Sequence, residues 1–282
     1  MPTAALVLVV TAAFAHAAWN LLAKTATGGA VFVWLWGLLA TAFWLPAVVV
    51  AERVDPSPLD LTAFGLMAGS GVLHALYFVL LQRGYREGDL SLVYPLARGT
   101  GPLLATLAAI AFLGERPSAL GLAGAAIIVG AVLSLARRPG RGARPAAVFA
   151  LLTGVAIAGY TLWDKQAVGP HGVSPVTFWW GTNAVNVALL TPWAVRRRAD
   201  LAPVWSAHRR QAVGVAVLSP LAYILVLFAL ARAPVSAVAP ARELSILVAA
   251  ALGAAVLAEG DTRRRLLAAG AIVVGVVALA LG

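Results

Sequence analysis

Long apolar runs alternate with short polar stretches along the whole chain. Each run is long enough to cross the hydrocarbon core of a bilayer as a helix, which needs about 20 residues. We predict ten such spans, at 3–23, 31–51, 61–82, 90–113, 119–136, 146–166, 174–195, 211–231, 235–257 and 265–281. Because their connections are short, neighbouring spans should run antiparallel in one bundle. The pattern predicts an all-α, polytopic membrane protein with ten transmembrane helices.

Composition supports this class. Of the 282 residues, 61% are hydrophobic and 11% are charged, whereas about a quarter of a soluble domain is charged. The net charge of +10 would indicate nucleic-acid binding in a soluble protein. Here the arginines lie in short loops, where they set membrane orientation, so we expect no nucleic-acid partner. The absence of cysteine excludes disulfides and thiolate metal sites.

The run from Ser91 to Pro117 carries a buried charge, Arg98, about two turns from its start. An arginine at that depth is costly unless it faces a partner, a wet cavity or a ligand. Two prolines and two glycines beside it loosen the helical backbone. Arg98 could bind an anionic substrate group with its planar fork. It could equally form a structural ion pair with Asp164 or Glu243, and the sequence leaves both readings open.

The same arrangement occurs twice. Arg98 precedes Glu115 by 17 positions, and Arg242 precedes Glu259 by 17 positions, so the copies are offset by 144. The same offset relates three further landmarks, namely Trp19 to Trp163, Asn20 to Asp164, and Trp36-Gly37 to Trp180-Gly181. The chain is therefore predicted to be a tandem repeat.

Each copy holds five spans. We place the first repeat at 1–138, a basic linker at 139–145 and the second repeat at 146–282. An odd number of spans inverts the second copy in the membrane. Inverted repeats are typical of secondary transporters, whose substrate site lies near the midplane between the halves.

Lysines and arginines fall mostly in the odd-numbered loops. The even-numbered loops and their borders carry only four of the 21, namely Arg53, Arg116, Lys165 and Arg232. By the positive-inside rule the odd loops are cytoplasmic, and both termini then face outside.

Polar side chains inside the spans recur at helical spacing. Such stripes should turn away from lipid, because unsatisfied polar groups are costly in hydrocarbon. They predict a wet central cavity and a set of substrate-binding candidates: Trp19, Asn20, His74, Tyr77, Tyr94, Arg98, Tyr160, Trp163, Asp164, Asn183, Asn186, Tyr223 and Arg242.

Several of these residues have structural readings as well. A histidine such as His16 or His74 could carry protons, or could be a satisfied buried side chain. Asp164 could be a coupling site or a solvated residue near a span end. Arg242 precedes Glu243, which favours a structural role, and a turn or capping role is favoured for Glu115.

No motif indicates catalysis or a cofactor. The chain lacks a phosphate-cradling Gly-Lys-Ser/Thr loop, a Gly-x-Ser-x-Gly elbow and metalloprotease histidine spacing. We therefore expect no enzyme activity, no cofactor and no metal.

Three stretches of the first repeat, HAAWNLLAK, YPLARGTGPLL and the Gly-Glu-Arg-Pro turn, resemble EamA-type proteins of the drug/metabolite transporter superfamily. In the second repeat, YTLWDK and APARELSILVAAALGAAVLAEG resemble the matching EamA segments. The resemblance implies two five-helix repeats around a central cavity, with the fifth and tenth helices peripheral. It also implies a metabolite carrier, often an exporter, in the bacterial inner membrane. Relatives usually place both termini in the cytoplasm, opposite to the loop charges here.

The sequence thus predicts a secondary transporter, working by alternating access, that exports small metabolites such as amino acids or other anionic or zwitterionic compounds. Proton coupling is an open possibility. Two alternatives also stay open: a membrane enzyme acting on a lipid-linked headgroup, and a non-transporting membrane subunit.

Overall fold

The computed structural model describes residues 1–24, 26, 28–88, 90–134, 144–248 and 262–282. The helices that lie wholly within these ranges are α1 (Thr3–Lys24), α2 (Gly29–Val54), α3 (Leu61–Glu87), α4 (Leu90–Phe112), α5 (Ala119–Ser134), α6 (Arg144–Val168), α7 (Pro175–Arg196), α8 (Arg198–Arg232), α9 (Val235–Ala241) and α10 (Thr262–Leu281). Helices α1 to α7 and α10 begin and end within a few residues of the predicted spans.

Six of the described helices, α1 to α4, α6 and α8, are long and apolar enough to cross a membrane. Helix α5 and the Leu267–Leu281 part of α10 are shorter apolar helices. Large apolar side chains such as Phe14, Phe43 and Phe64 are exposed on the outside of the bundle. The core holds many alanines, whose small side chains let helices pack closely.

Helix packing follows the repeat. Under the 144-residue offset α1 corresponds to α6, and α3 corresponds to α8. Helix α1 packs along α8, and its counterpart α6 packs along α3. Helix α2 packs on its own counterpart α7, and α5 packs on α10. Exchanging the two copies maps these contacts onto one another, so the repeats form one interlocked bundle.

The predicted loop at 196–210 is largely helical, which corrects the sequence analysis. Helix α8 begins at Arg198 and contains a kink at His208, where φ is −127° and ψ is 19°. The segment before the kink is held by apolar contact, because Val204 packs against the cluster of Phe32, Ala212 and Val215.

The predicted ninth span at 235–257 is not one continuous helix. Helix α9 ends at Ala241, Arg242 and Glu243 form a turn, and helical backbone resumes over 244–248. The backbone N–H of Glu243 donates to the carbonyl of Pro240, and that of Ser245 to the carbonyl of Arg242, both three residues back. This tighter bonding marks a helix break. The rest of the predicted span, residues 249–257, lies outside the described residues, and so does Glu259.

Candidate functional site

A buried ion pair joins the two repeats. Helix α4 of the first repeat carries Arg98, and the turn after α9 carries Glu243. The Arg98 Nε lies 3.1 Å from one carboxylate oxygen of Glu243, and an Arg98 terminal nitrogen lies 3.0 Å from the other. The two side chains are 8% and 3% exposed. The sequence offered Asp164 or Glu243 as an ion-pair partner for Arg98. In the structure the partner is Glu243, which contacts two nitrogens of the guanidinium.

A second buried carboxylate, Asp164 on α6, is held by two hydroxyl groups. Ser70 on α3 donates to Oδ1 over 2.6 Å, and Tyr223 on α8 donates to Oδ2 over 2.5 Å. Asp164 is fully buried. The bond from Ser70 crosses from the first repeat to the second, so this network also joins the halves.

Aromatic rings surround Asp164. The imidazole of His74 stacks on the ring of Tyr160, with centroids 4.1 Å apart. Tyr77 and Tyr223 approach Tyr160 edge-on at 5.9 and 6.3 Å. The His74 Nδ1 lies 2.9 Å from the carbonyl oxygen of Ser70. Because a carbonyl only accepts, Nδ1 carries the proton of that bond.

The second arginine of the repeat, Arg242, lies next to these groups. Its Cζ lies 5.4 Å from the centroid of the Tyr223 ring, a cation–π geometry. Among the described residues, its guanidinium makes no hydrogen bond and no ion pair. Arg242 therefore differs from Arg98, whose Nε and one terminal nitrogen both contact the Glu243 carboxylate.

The space at the centre is small. The void lined by Arg98, Arg242 and Glu243 measures about 10 Å³, room for about one water molecule. The wet central cavity that the sequence predicts is therefore nearly closed here, because the Arg98–Glu243 pair occupies it. Tyr94 is half-buried one turn before Arg98 on α4.

A larger open cavity, about 600 Å³, lies farther along α4 and α6, near their C-terminal ends. Glu115 and Lys165 line it. The Glu115 carboxylate accepts the backbone N–H groups of Val235 and Ser236, at 2.7 and 2.9 Å, and so caps the start of α9. Lys165 donates to two carbonyl oxygens around the end of α8.

The asparagine candidates form hydrogen bonds within or between helices. The Asn183 amide donates to the Gly37 carbonyl and the Thr41 hydroxyl, at 3.0 and 2.8 Å, and so joins α7 to α2. Asn20 and Asn186 donate to carbonyls one turn back in their own helices. Trp19 lies beside His16 with a centroid distance of 5.1 Å, and packs on the Phe32 cluster. None of these contacts joins the Asp164 network.

Trp163 faces away from the centre, which corrects its assignment to a cavity wall. It is 41% exposed and continues a stripe of exposed apolar residues on α6 that includes Leu152 and Val155. Its indole N–H donates to the Leu66 carbonyl over 2.8 Å. A Cβ on Gly69 would lie only 2.6 Å from the indole ring, so the glycine at this position of α3 makes room for the tryptophan.

Two central residues were not among the candidates. Glu243 was named only as a partner for Arg98, and Ser70 was not among the predicted substrate-binding residues. The signal for Glu243 was the need of a buried arginine for a counter-charge. Over the part of the chain described, no group of three or more His, Cys, Asp or Glu side chains could hold a metal ion.

Further hydrogen bonds join the repeats at one end of the bundle. We call it the even-loop end, because it carries the α2–α3, α4–α5, α6–α7 and α8–α9 connections. The Glu52 carboxylate accepts the hydroxyls of Ser57 and Thr177 at 2.6 and 2.5 Å. The backbone N–H of Ser174 donates to the Ser57 hydroxyl over 2.9 Å.

Asp60 adds an exposed contact at the same end. Its carboxylate caps α3 at Ala63 and lies 3.0 Å from Nε2 of His171. The backbone N–H of Ala63, together with the His171 imidazole, holds the pKa of Asp60 below its usual range.

Comparison with known proteins identifies the family of this chain. The model of the EamA-like transporter family matches residues 3–137 and again residues 144–281. A solved structure, described only as a crystal structure of a protein, is 16% identical and superposes with a TM-score of 0.78, covering 100% of this chain and 98% of that one. That likeness shows a shared fold. Among curated proteins, none matches the chain. Two family matches over nearly the full length, on apolar membrane-spanning helices, show that this multi-pass membrane protein belongs to the EamA-like transporter family.

Proposed function

We propose that the chain is a secondary transporter that exports small carboxylate-bearing metabolites, such as amino acids, across the bacterial inner membrane by alternating access. The observation that carries the proposal is Arg242. Its guanidinium lines the central void and contacts the Tyr223 ring, yet makes no ion pair or hydrogen bond to a described residue. A buried guanidinium that makes no hydrogen bond and no ion pair to a described residue is suited to binding an anionic ligand.

The sequence left two roles open for a buried arginine, namely binding an anionic substrate group and forming a structural ion pair. We propose that Arg242 and Arg98 take one role each. Arg98 is engaged by both oxygens of Glu243, so a substrate carboxylate would have to displace a protein carboxylate there. Arg242 requires no such exchange. We therefore propose that Arg242 binds the substrate carboxylate, and that the pair of Arg98 and Glu243 links the two halves.

Transport requires the centre to open. A void of about 10 Å³ cannot hold an amino acid. The Arg98–Glu243 pair and the Ser70–Asp164 bond both cross between the repeats. Movement of one repeat against the other would loosen both, and would enlarge the void from one side of the membrane at a time.

The closed centre does not favour the alternative of a non-transporting subunit. A subunit needs only a stable core, and well-packed apolar residues are often at least as stabilising as buried ion pairs. Here four ionisable side chains, Arg98, Asp164, Arg242 and Glu243, converge between the halves. That arrangement supports a binding site more than a packing surface.

The test is transport by the purified protein in liposomes. Radiolabelled L-alanine, L-glutamate, succinate and glucose are exchanged against the same unlabelled compound inside. We expect exchange of at least one carboxylate-bearing probe, reduced at least tenfold by Arg242→Gln and unchanged by Arg232→Gln, which alters an exposed arginine.

Arg242→Gln should keep a melting temperature close to wild type, because no described residue depends on its charge for a hydrogen bond. Wild-type exchange rates in a folded Arg242→Gln protein would contradict the role of Arg242. Exchange of glucose without any carboxylate would contradict the substrate class.

A further inference from the structure

Five arginines surround a short helical segment at the odd-loop end of the bundle, which carries the α1–α2 and α7–α8 connections. We call them the basic surface, and all five side chains are exposed: Arg196, Arg197, Arg198, Arg209 and Arg210. Asp200 is the single acid between residues 196 and 210. Its contact with Arg197 is exposed and 3.8 Å long. Over the described part of the chain the other four arginines form no ion pair. The basic surface therefore keeps nearly all of its positive charge.

The segment between the two arginine groups, residues 198–207, is held against the bundle. Val204 packs on the cluster of Phe32 near the start of α2. A Cβ on Gly28, which precedes α2, would lie only 2.9 Å from the Val204 side chain. At the kink, the ring of His208 meets the ring of Phe32 edge-on, with centroids 6.3 Å apart. The segment therefore lies over the start of α2 and is not a free arm in water.

The segment also lies at the level of the lipid headgroups. It directly precedes the apolar part of α8, which is long enough to cross a membrane. One of its stripes has helical spacing and is exposed: Arg198, Ala202 and Trp205. A tryptophan among arginines is typical of a membrane–water interface, where the ring enters lipid and the N–H stays in the polar layer.

We propose that the basic surface binds the anionic phosphodiester headgroups of the adjacent leaflet, with residues 198–207 as an interfacial helix on that leaflet. The planar fork of arginine matches a phosphate group. Each arginine near an anionic membrane surface adds to the attraction, and an exposed aromatic side chain on the same segment adds apolar contact. This lipid site goes beyond the part that loop arginines play in orientation, and it does not depend on the proposed transport function.

The even-loop end provides an internal comparison. Its exposed arginines Arg53 and Arg116 each adjoin a glutamate in the chain, Glu52 and Glu115. Charge at that end is therefore mixed, whereas the basic surface has five arginines and one acid. Charge complementarity to anionic headgroups favours the odd-loop end, and Arg53 and Arg116 serve as matched controls.

The experiment places one fluorescent label on the full-length protein. The chain has no cysteine, so Ala202→Cys gives a single attachment point for the polarity-sensitive dye NBD at an exposed position. The labelled protein is studied in nanodiscs of phosphatidylcholine alone, or of phosphatidylcholine mixed with phosphatidylglycerol that has the same acyl chains. We expect NBD emission at shorter wavelength in the mixture. The shift should shrink at high salt, because exposed charges are screened.

Titration of phosphatidylglycerol into the labelled protein in neutral detergent micelles measures the affinity. Replacing Arg196, Arg197 and Arg198 together by glutamine should weaken binding at least tenfold, because three charges near the surface are lost. Replacing the same three by lysine keeps the charges and should retain most of the binding. Arg53→Gln with Arg116→Gln should match the labelled parent.

Because the three arginines are exposed, the glutamine variant should melt at the temperature of the parent when no phosphatidylglycerol is present. That result separates a lost binding surface from a lost fold.

Three outcomes would overturn the proposal. Equal emission shifts in phosphatidylcholine alone and in the mixture would rule out recognition of anionic headgroups. The same shift from sodium phosphate in micelles without lipid would indicate a free-anion site instead of a lipid site. Unchanged affinity in the glutamine variant would remove the assignment to these arginines. None of these outcomes concerns Arg242, whose role is tested by substrate exchange.

Discussion

At the scale of single residues, the Arg98–Glu243 pair sets the energetics of the centre. Removing two charges from water is costly, and the pair offsets that cost only through its bidentate geometry and its near-complete burial. Loss of one partner leaves the other charge buried alone. The pair therefore specifies how the halves meet, and its net stabilisation is small compared with the cost of breaking it.

Arg98→Met should lower the free energy of unfolding by about 3–5 kcal/mol, because it strands the Glu243 carboxylate. The double variant Arg98→Met, Glu243→Met should recover most of that loss. Chemical denaturation in detergent micelles measures both. The control is Asp200→Asn, whose ion pair with Arg197 is exposed and 3.8 Å long, and which should change stability by about 1 kcal/mol or less. Equal losses in the single and double variants would contradict this account.

At the scale of helices, close approach depends on glycine at particular positions. Helix α5 packs on α10 through Gly124, where a Cβ would lie 2.6 Å from the backbone oxygen of Gly275 and 2.9 Å from the backbone nitrogen of Leu279. Gly130 on the same helix has no atom within 4 Å of such a position. The glycines that look alike in the sequence of α5 therefore differ in what they do.

Gly124→Ala should destabilise the protein by about 1–3 kcal/mol, because two backbones would have to move apart. Gly130→Ala is the matched control, since it adds the same methyl group to the same helix in open space. It should be neutral or slightly stabilising, because alanine favours helix. Thermal unfolding of the two variants side by side checks the difference. Similar melting temperatures would show that α5 and α10 do not pack this closely.

At the scale of the whole molecule, the two repeats are joined at the centre and at the even-loop end. The contacts at that end run from the α2–α3 connection to the start of α7, through Ser57, Ser174 and Thr177. If transport requires the halves to separate there, these contacts must break in each cycle.

Cysteines in place of Ser57 and Ser174 should cross-link and stop transport, and a reductant should restore it. The chain has no cysteine of its own, so the cross-link would be the only disulfide. Each single cysteine variant, treated with the same oxidant, should transport as before. Wild-type exchange in a fully cross-linked protein would show that this end stays closed throughout the cycle.

The sequence by itself determined the membrane class, the positions of most helices, the repeat and the presence of a buried arginine that needs a partner. These follow from local properties: an apolar run of sufficient length forms a helix in lipid, because its backbone groups must bond internally. The offset of 144 is likewise written in the residue order. The helical segment before His208 escaped prediction, because its charged residues and Pro203 are also typical of a loop.

Only the tertiary structure decided which charges meet. Helical spacing gives the face on which a residue lies, but the rotation of each helix and its neighbours are set by packing across the bundle. For this reason Trp163 lies on the outside, one residue from the buried Asp164. The choice of Glu243 for Arg98 likewise depends on a contact between residues 145 positions apart in the chain. The contact of the Arg242 guanidinium with the Tyr223 ring depends on how the turn after α9 packs against α8.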